Sequence, residues 1–445
     1  MSHHPEPFTR AGHVQALLDV EVALAEALAA AKVIPAECVP PIRIAADLSR
    51  YDLDSLAAEA AVAGNVVIPL VRHLTREVAA QDRKAAGFVH WGATSQDVID
   101  TAVVLQLRPA LVGIDRALDR AASAAAGLAA RHAATPIAGR TWLQQASPTT
   151  FGAKAASWLD GMERVRARLS AAGRAASDLQ LGGATGTLAS LGAAGPAVSR
   201  ALATSLGLRV AEIPWHAERS RFADVACALG LVCGTLGKIG RDLALLAQTE
   251  VAEAADAAME GHGGSSSMPH KHNPVGAVQA VAASVRAPGL VATMLAAMPQ
   301  EHERAAGGWQ AEWEALPALV ALTAGAAGAI AETLSALVVD EAQMLANLDA
   351  AGGVARAEGL VIALAPRLGR VEAMRLVEAV SRRAVTDGTS LAAAAAADPA
   401  LRKHLDAEAI ARALDPANLS APAGTFVAQV LTRWRRAAKD GAHHG

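Results

Sequence analysis

Phe222–Leu246 reads FADVACALGLVCGTLGKIGRDLALL, and its apolar spacing decides the fold. Phe222, Val225, Leu229, Val232, Leu236, Ile239, Leu243 and Leu246 follow one another in alternating steps of three and four. That is a heptad seam, the pattern of a helix packed lengthwise against other helices. No proline intervenes between Pro214 and Pro269, so a helix of about 30 residues, ~45 Å long, is expected. Gly230, Gly234, Gly237 and Gly240 lie inside it. Each costs ~1 kcal/mol relative to alanine in a helix, so a face approached closely by another backbone is inferred.

Outward from this seam, similar apolar-periodic runs cover about 101–133, 276–298 and 309–350. Pro109, Pro288 and Pro317 fall within them and are expected to kink or break those helices. Strand pattern is confined to short pieces near PIAGRTWLQQ, and the alanine-rich SLAAAAAADPALRKHL is compatible with short helices. The chain therefore reads as all-α. Helices this long bury their seams best in a bundle, and one chain offers too few to cover them all, so a homo-oligomer with a shared helical core is expected. Three parts are expected: an N-terminal helical domain to about residue 97, a central long-helix bundle over 98–352, and a C-terminal helical domain over 353–445.

Composition narrows the function. The 445 residues are 52% hydrophobic but only 3% aromatic, which favours helix over strand. Forty basic and 43 acidic residues leave a net charge of −3, which argues against a nucleic-acid partner. Cys38, Cys227 and Cys233 form no paired framework and show no metal-ligand spacing. The opening MSHHPEPFTR lacks the apolar core of a signal peptide, and the alanine-rich runs are broken by Arg, Asp and Glu. A cytoplasmic protein with no membrane partner is expected.

Three polar segments interrupt the helices. GHGGSSSMPHKHNPVGA, 261–277, combines glycine freedom with serines, Lys271 and Asn273. It reads either as a mobile loop closing over a carboxylate or phosphate, or as an ordinary surface connection. VHWGATSQDVIDTA, 89–102, sets His90, Thr94, Ser95, Gln96 and Asp97 ahead of a helix, as an anion site or simply an N-cap. AGRTWLQQASPTTFGAK, 138–154, reads singly as a loop with Thr149 or Thr150 as cap.

Together the three segments resemble the active-site regions of the fumarase/aspartase superfamily, whose signature is GSSxMPxKxNP. They occur in that superfamily's order and spacing, and the resemblance spans nearly the whole chain. It implies an all-helical, three-domain subunit, a homotetramer around a twenty-helix core, and active sites shared between subunits. It also implies proton transfer at a carbon beside a carboxylate, through an aci-carboxylate intermediate. By position, Ser265 is implied as the proton-transferring residue, with Lys271 beside it in the catalytic set. Asn273, His90, Thr94, Ser95, Thr141, Trp142, Gln145 and Arg304 are implied as substrate contacts. No metal and no organic cofactor are implied.

Two departures choose the branch. Superfamily lyases that expel hydroxide or an amine carry histidine where this chain has Trp142, paired with a glutamate where it has Val278. A carboxylate, whose conjugate acid has a pKa near ~4, leaves unassisted, so lactone chemistry can dispense with that pair. GRTWLQQ and MPQEHERAAGGWQAEWEALP, 298–317, resemble the 3-carboxy-cis,cis-muconate cycloisomerase branch, which implies a small tricarboxylate substrate. The runner-up is adenylosuccinate lyase or another C–N lyase, but the residues after Glu303 and Arg304 offer no charge or hydroxyl for a nucleotide phosphate. A non-catalytic helical scaffold is a third reading. Trp309 and Trp313, at i and i+4, either wall an apolar pocket or pack between helices. His272 stands where arginine is common, and Arg10 is the only early cation.

Overall fold

The computed structural model describes residues 6–256, 268 and 271–442. Among them the chain is helical, with strands only in three two-stranded sheets. The heptad stretch forms one helix, Ser220–Leu246, and every seam residue is at most 4% exposed. Close approach occurs at two of its glycines. A Cβ on Gly230 would lie 2.7 Å from Val291 Cγ2, and one on Gly240 would lie 2.5 Å from the Ala277 carbonyl oxygen. A Cβ on Gly234 would meet nothing within 4 Å, so the close face is patchy rather than continuous.

The other long helices are Ser95–Arg131, Phe151–Ala175, Val275–Ala296 and Gly308–Ser335. Pro109, Pro288 and Pro317 all lie inside them, and none ends a helix. Each removes one backbone hydrogen bond, and the helix continues on either side of it. The run expected to reach residue 350 stops instead at Ser335. There Leu337–Val339 pairs antiparallel with Ala254–Asp256, and a new helix, Glu341–Asp349, starts on the Asp340 side chain.

The chain packs as two compact units. One comprises Met1–Arg116, Val165–Gly234 and Ser284–Ala324; the other comprises Ala117–Arg164, Thr235–Ala283 and Gly325–Gly445. In the first, Leu17, Leu24 and Leu28 of the Arg10–Ala30 helix join Leu70, Leu74, Val98 and Trp309 in one core. In the second, Leu360, Leu364, Val377, Leu391 and Leu401 form a smaller core. The alanine run supplies the Leu391–Ala397 helix, capped by Ser390.

The charges expected to break up the apolar runs are too sparse to do so. By length and composition three helices, Ser220–Leu246, Val275–Ala296 and Gly308–Ser335, are apolar enough to cross a membrane. Single charges interrupt these runs but leave their average hydropathy high, because alanine, leucine and valine fill the space between. Burial differs among them: 61% of the most apolar window of Ser220–Leu246 is buried, against 28% for Val275–Ala296. On the latter, Val278, Val285 and Leu295 are exposed.

Candidate active site

In the first unit, site geometry is organised by Asp97, on the first turn of the Ser95–Arg131 helix and 2% exposed. Its Oδ1 accepts from the Gly182 amide at 2.9 Å and lies 2.7 Å from His216 Nε2. Its Oδ2 accepts from the Gly183 amide at 2.9 Å and the Thr94 amide at 3.0 Å. One carboxylate thus ties a helix start, a glycine loop and a buried histidine together. The loop needs its glycines. A Cβ on Gly182 would fall 2.7 Å from His216 Cε1, and Gly183 has φ +71°.

Thr94 and Ser95 sit at this helix start, and Thr94 Oγ1 accepts from Arg304 Nη1 at 3.0 Å. Arg304 Nη2 donates to the Ala184 carbonyl at 3.0 Å, while its buried Nε has no partner among the described residues. His90 lies just upstream with φ +58°, its Nδ1 2.6 Å from Glu21 Oε1. Burial works against a charged His90 ring, but Glu21, and more weakly Asp97, hold its pKa above the ordinary histidine value. His90, Thr94, Ser95 and Arg304 are therefore brought together, beside a fixed array of donors suited to a carboxylate.

Beneath them, Arg219 is 2% exposed and bridges Asp100 and Glu312, with Nη1 2.7 Å from Asp100 Oδ2. Burial penalises its charge, yet the two carboxylates hold it more firmly protonated than usual. Burial pushes the Glu312 carboxyl up. The guanidinium stacks on Trp215 and Phe222, and Trp309 Nε1 donates to Asp100 Oδ1 at 3.0 Å. Trp309 packs into the core shared with other helices of the first unit, with Trp313 against it. Their rings pack edge to face at 4.9 Å, and they line a cavity of about 580 Å³. Arg10 is engaged at the surface by Asp54.

In the second unit, Pro136–Thr141 and Gln144–Thr150 form a hairpin. Its two-residue turn is Trp142–Leu143, with φ +54° and +64°. Positive φ at both turn positions matches the twist of the strands. Trp142 is 97% exposed, and Thr141 and Gln145 are exposed beside it. The hairpin is anchored from below. Arg140 makes a double ion pair with the fully buried Glu253, at 2.8 and 2.6 Å. Asn347 Nδ2 donates to the same Glu253, and Gln145 Nε2 donates to the Asn347 carbonyl at 2.9 Å. Thr150 caps the Phe151–Ala175 helix through the Ala153 amide. Nearby burial lowers the Lys154 pKa.

Lys271 and Asn273 lie on the approach to the Val275–Ala296 helix, where Lys271 and His272 are exposed. Ser265 lies outside the described residues.

A lyase family model matches residues 4–289, and a model described as the adenylosuccinate lyase C-terminus matches residues 353–430. The chain belongs to this lyase family. It is 48% identical over 403 residues to the 3-carboxy-cis,cis-muconate cycloisomerase of Bradyrhizobium diazoefficiens, covering 91% of this chain and 89% of that one. Identity to the enzyme of the same name from Pseudomonas aeruginosa is also 48%, over 95% and 92% of the two chains. The crystal structure of the 3-carboxy-cis,cis-muconate lactonizing enzyme from Pseudomonas putida superimposes with a TM-score of 0.92 at 43% identity, over 96% of each chain.

Within this lyase, Glu21, His216, the 182–187 glycine loop and the Arg219 ion network are site features that the motifs do not announce. Some signals were present. Asp97 and Asp100 fall three apart at the start of a helix whose next charge is Arg108, and GGATGT precedes no regular element. Glu21 gives less warning, because Asp19 and Glu26 on the same helix are acidic too and are not buried.

Proposed function

We propose that this lyase cyclises 3-carboxy-cis,cis-muconate to 4-carboxymuconolactone in the breakdown of protocatechuate. The observation that carries this reading is 48% identity, over nearly the full length of both chains, to enzymes of that name. The residues agree with it. The hairpin tip bears Trp142 and the Val275–Ala296 helix bears Val278, so neither position offers an acid or base for a poor leaving group. The adenylosuccinate reading rests on the C-terminal model alone.

In the forward direction a substrate carboxylate oxygen attacks an alkene carbon, forming the lactone C–O bond. The displaced electron pair moves onto the neighbouring carboxylate as an aci-carboxylate, and the carbon between them then takes a proton. Ser265, or a water it positions, delivers that proton. Lys271, Asn273, Thr94, Ser95 and Arg304 stabilise the charge that develops, the electrostatic term that dominates such reactions. His90, Thr141, Trp142 and Gln145 orient the remaining carboxylates. One carboxylate becomes an ester, so each turnover consumes one proton.

The working unit in this reading is a cytoplasmic homotetramer of three-domain subunits, with boundaries near residues 97 and 352 and active sites shared between subunits. The exposed Val278, Val285 and Leu295 on one helix support a subunit interface there. Sedimentation at the mass of four chains is the expected result.

The decisive assay follows ultraviolet absorbance with 3-carboxy-cis,cis-muconate and with adenylosuccinate separately. Loss of the conjugated diene with the first alone, with alkalinisation of a weak buffer, is expected. Turnover of adenylosuccinate alone would overturn the reading.

A further inference from the structure

Glu21 is the one acidic residue of the Arg10–Ala30 helix that is buried against the core, with its side chain 1% exposed. One oxygen lies 2.6 Å from His90 Nδ1, and the other is buried without a partner among the described residues. A buried carboxylate with a single partner is costly unless that partner carries the opposite charge. The ring it touches is 18% exposed, so it is not sealed from solvent. The His90 backbone is held at φ +58°, a conformation that costs a non-glycine residue about 1–3 kcal/mol.

We infer that Glu21 is a positioning residue: it fixes the His90 ring through Nδ1 and keeps it as an imidazolium, so that Nε2–H is presented as a charged donor to one substrate carboxylate. The carboxylate role rests on the function proposed above; the protonation state does not. The charged groups acting on the ring are Glu21 from the first helix and Asp97 from the Ser95–Arg131 helix, and both are acidic. Asp97 is shared with His216, so Glu21 is the stronger influence. Burial opposes the charge and these two more than offset it. The sign follows. The pair's contribution is full below the ordinary value of 6.5 and is lost as pH rises through the raised value. The pair is neutral as a whole, so it gives direction to carboxylate binding rather than bulk charge.

The test reads hydrogen–deuterium exchange at the His90 ring C2 carbon by mass spectrometry across pH, with binding of tricarballylate, an unreactive tricarboxylate, measured by calorimetry. In the wild type the exchange midpoint is expected above 6.5. In Glu21→Gln, which keeps the volume and an acceptor, the midpoint should fall by about one unit or more. Tricarballylate affinity should fall about tenfold at pH 7.5, with KM rising similarly and kcat changing less than about threefold. A wild-type midpoint at or below 6.5, an unmoved midpoint in the variant, or unchanged tricarballylate affinity overturns the inference. The wild-type midpoint alone decides if Glu21→Gln does not fold. Failure to turn over carboxymuconate would sink the proposed function while leaving the exchange measurement to judge the pair.

Discussion

The first unit's polar centre and the second unit's hairpin solve the same problem in opposite ways. Around Asp97 and Arg219 the polar groups are buried, charged and cross-linked, so Thr94 and Arg304 are positioned by an interior that is already set. At the hairpin, the tip residues stand in solvent, and only Arg140, Glu253 and Asn347 below them are fixed. A buried network is rigid but fails expensively when broken, because each orphaned charge keeps its desolvation penalty. An exposed tip on a buried anchor is cheap to alter and leaves room for a partner or substrate to complete it.

Arg219→Met strands Asp100 and Glu312 together in the interior, and a loss of about 3–5 kcal/mol is expected by denaturant unfolding. The triple variant with Asp100→Asn and Glu312→Gln should recover part of that loss, because it removes the stranded charges as well as their partner. A triple variant no more stable than the single one would show that packing on Trp215 and Phe222 matters more than charge.

Next in size is an acid transition in the first unit. Gln106 Nε2 donates to His13 Nδ1 at 3.1 Å, while its Oε1 accepts from the Phe8 amide, so the amide orientation is set and the ring must accept. Burial pushes the His13 pKa down to about 4. The folded value lies below the unfolded one, so this stability is present above pH 6.5 and is lost as pH falls toward about 4. The loss is about 3 kcal/mol. Urea midpoints at pH 7 and 4.5 should converge in His13→Asn relative to the wild type.

Smaller still is the anchor of the hairpin. Arg140 is 23% exposed, and its loss strands one buried carboxylate, Glu253, where the loss of Arg219 strands two. Arg140→Met should therefore cost less than Arg219→Met, about 1–3 kcal/mol. Equal losses would erase the distinction between the two regions.

What the sequence disclosed follows the same division. The seam from Phe222 to Leu246 was legible because helical burial is periodic, and periodicity is a local property. Short strand pieces were visible near PIAGRTWLQQ, but not their pairing into a hairpin. The partners of Asp97, Arg219 and Glu21 lie far away in the chain, 69 positions apart for Glu21 and His90. No spacing rule reports which buried charges meet across such separations. The prolines broke no helix for a related reason: propensity acts at one residue, whereas Pro317 is flanked by the buried Leu316 and Leu319.

The smallest expected effect tests whether the hairpin tip is kept for function. A turn with positive φ at both positions favours Asn-Gly, and Trp142–Leu143 fits it poorly. Both side chains are exposed, so neither repays the strain by burial. Trp142→Asn with Leu143→Gly should stabilise the protein by about 1 kcal/mol. If Trp142 touches substrate, kcat/KM for carboxymuconate should nonetheless fall about tenfold. Strain held at a site where relieving it costs activity is strain retained for catalysis. A more stable variant with unchanged kcat/KM would instead remove Trp142 from the substrate contacts and leave Thr141 and Gln145 to represent the hairpin.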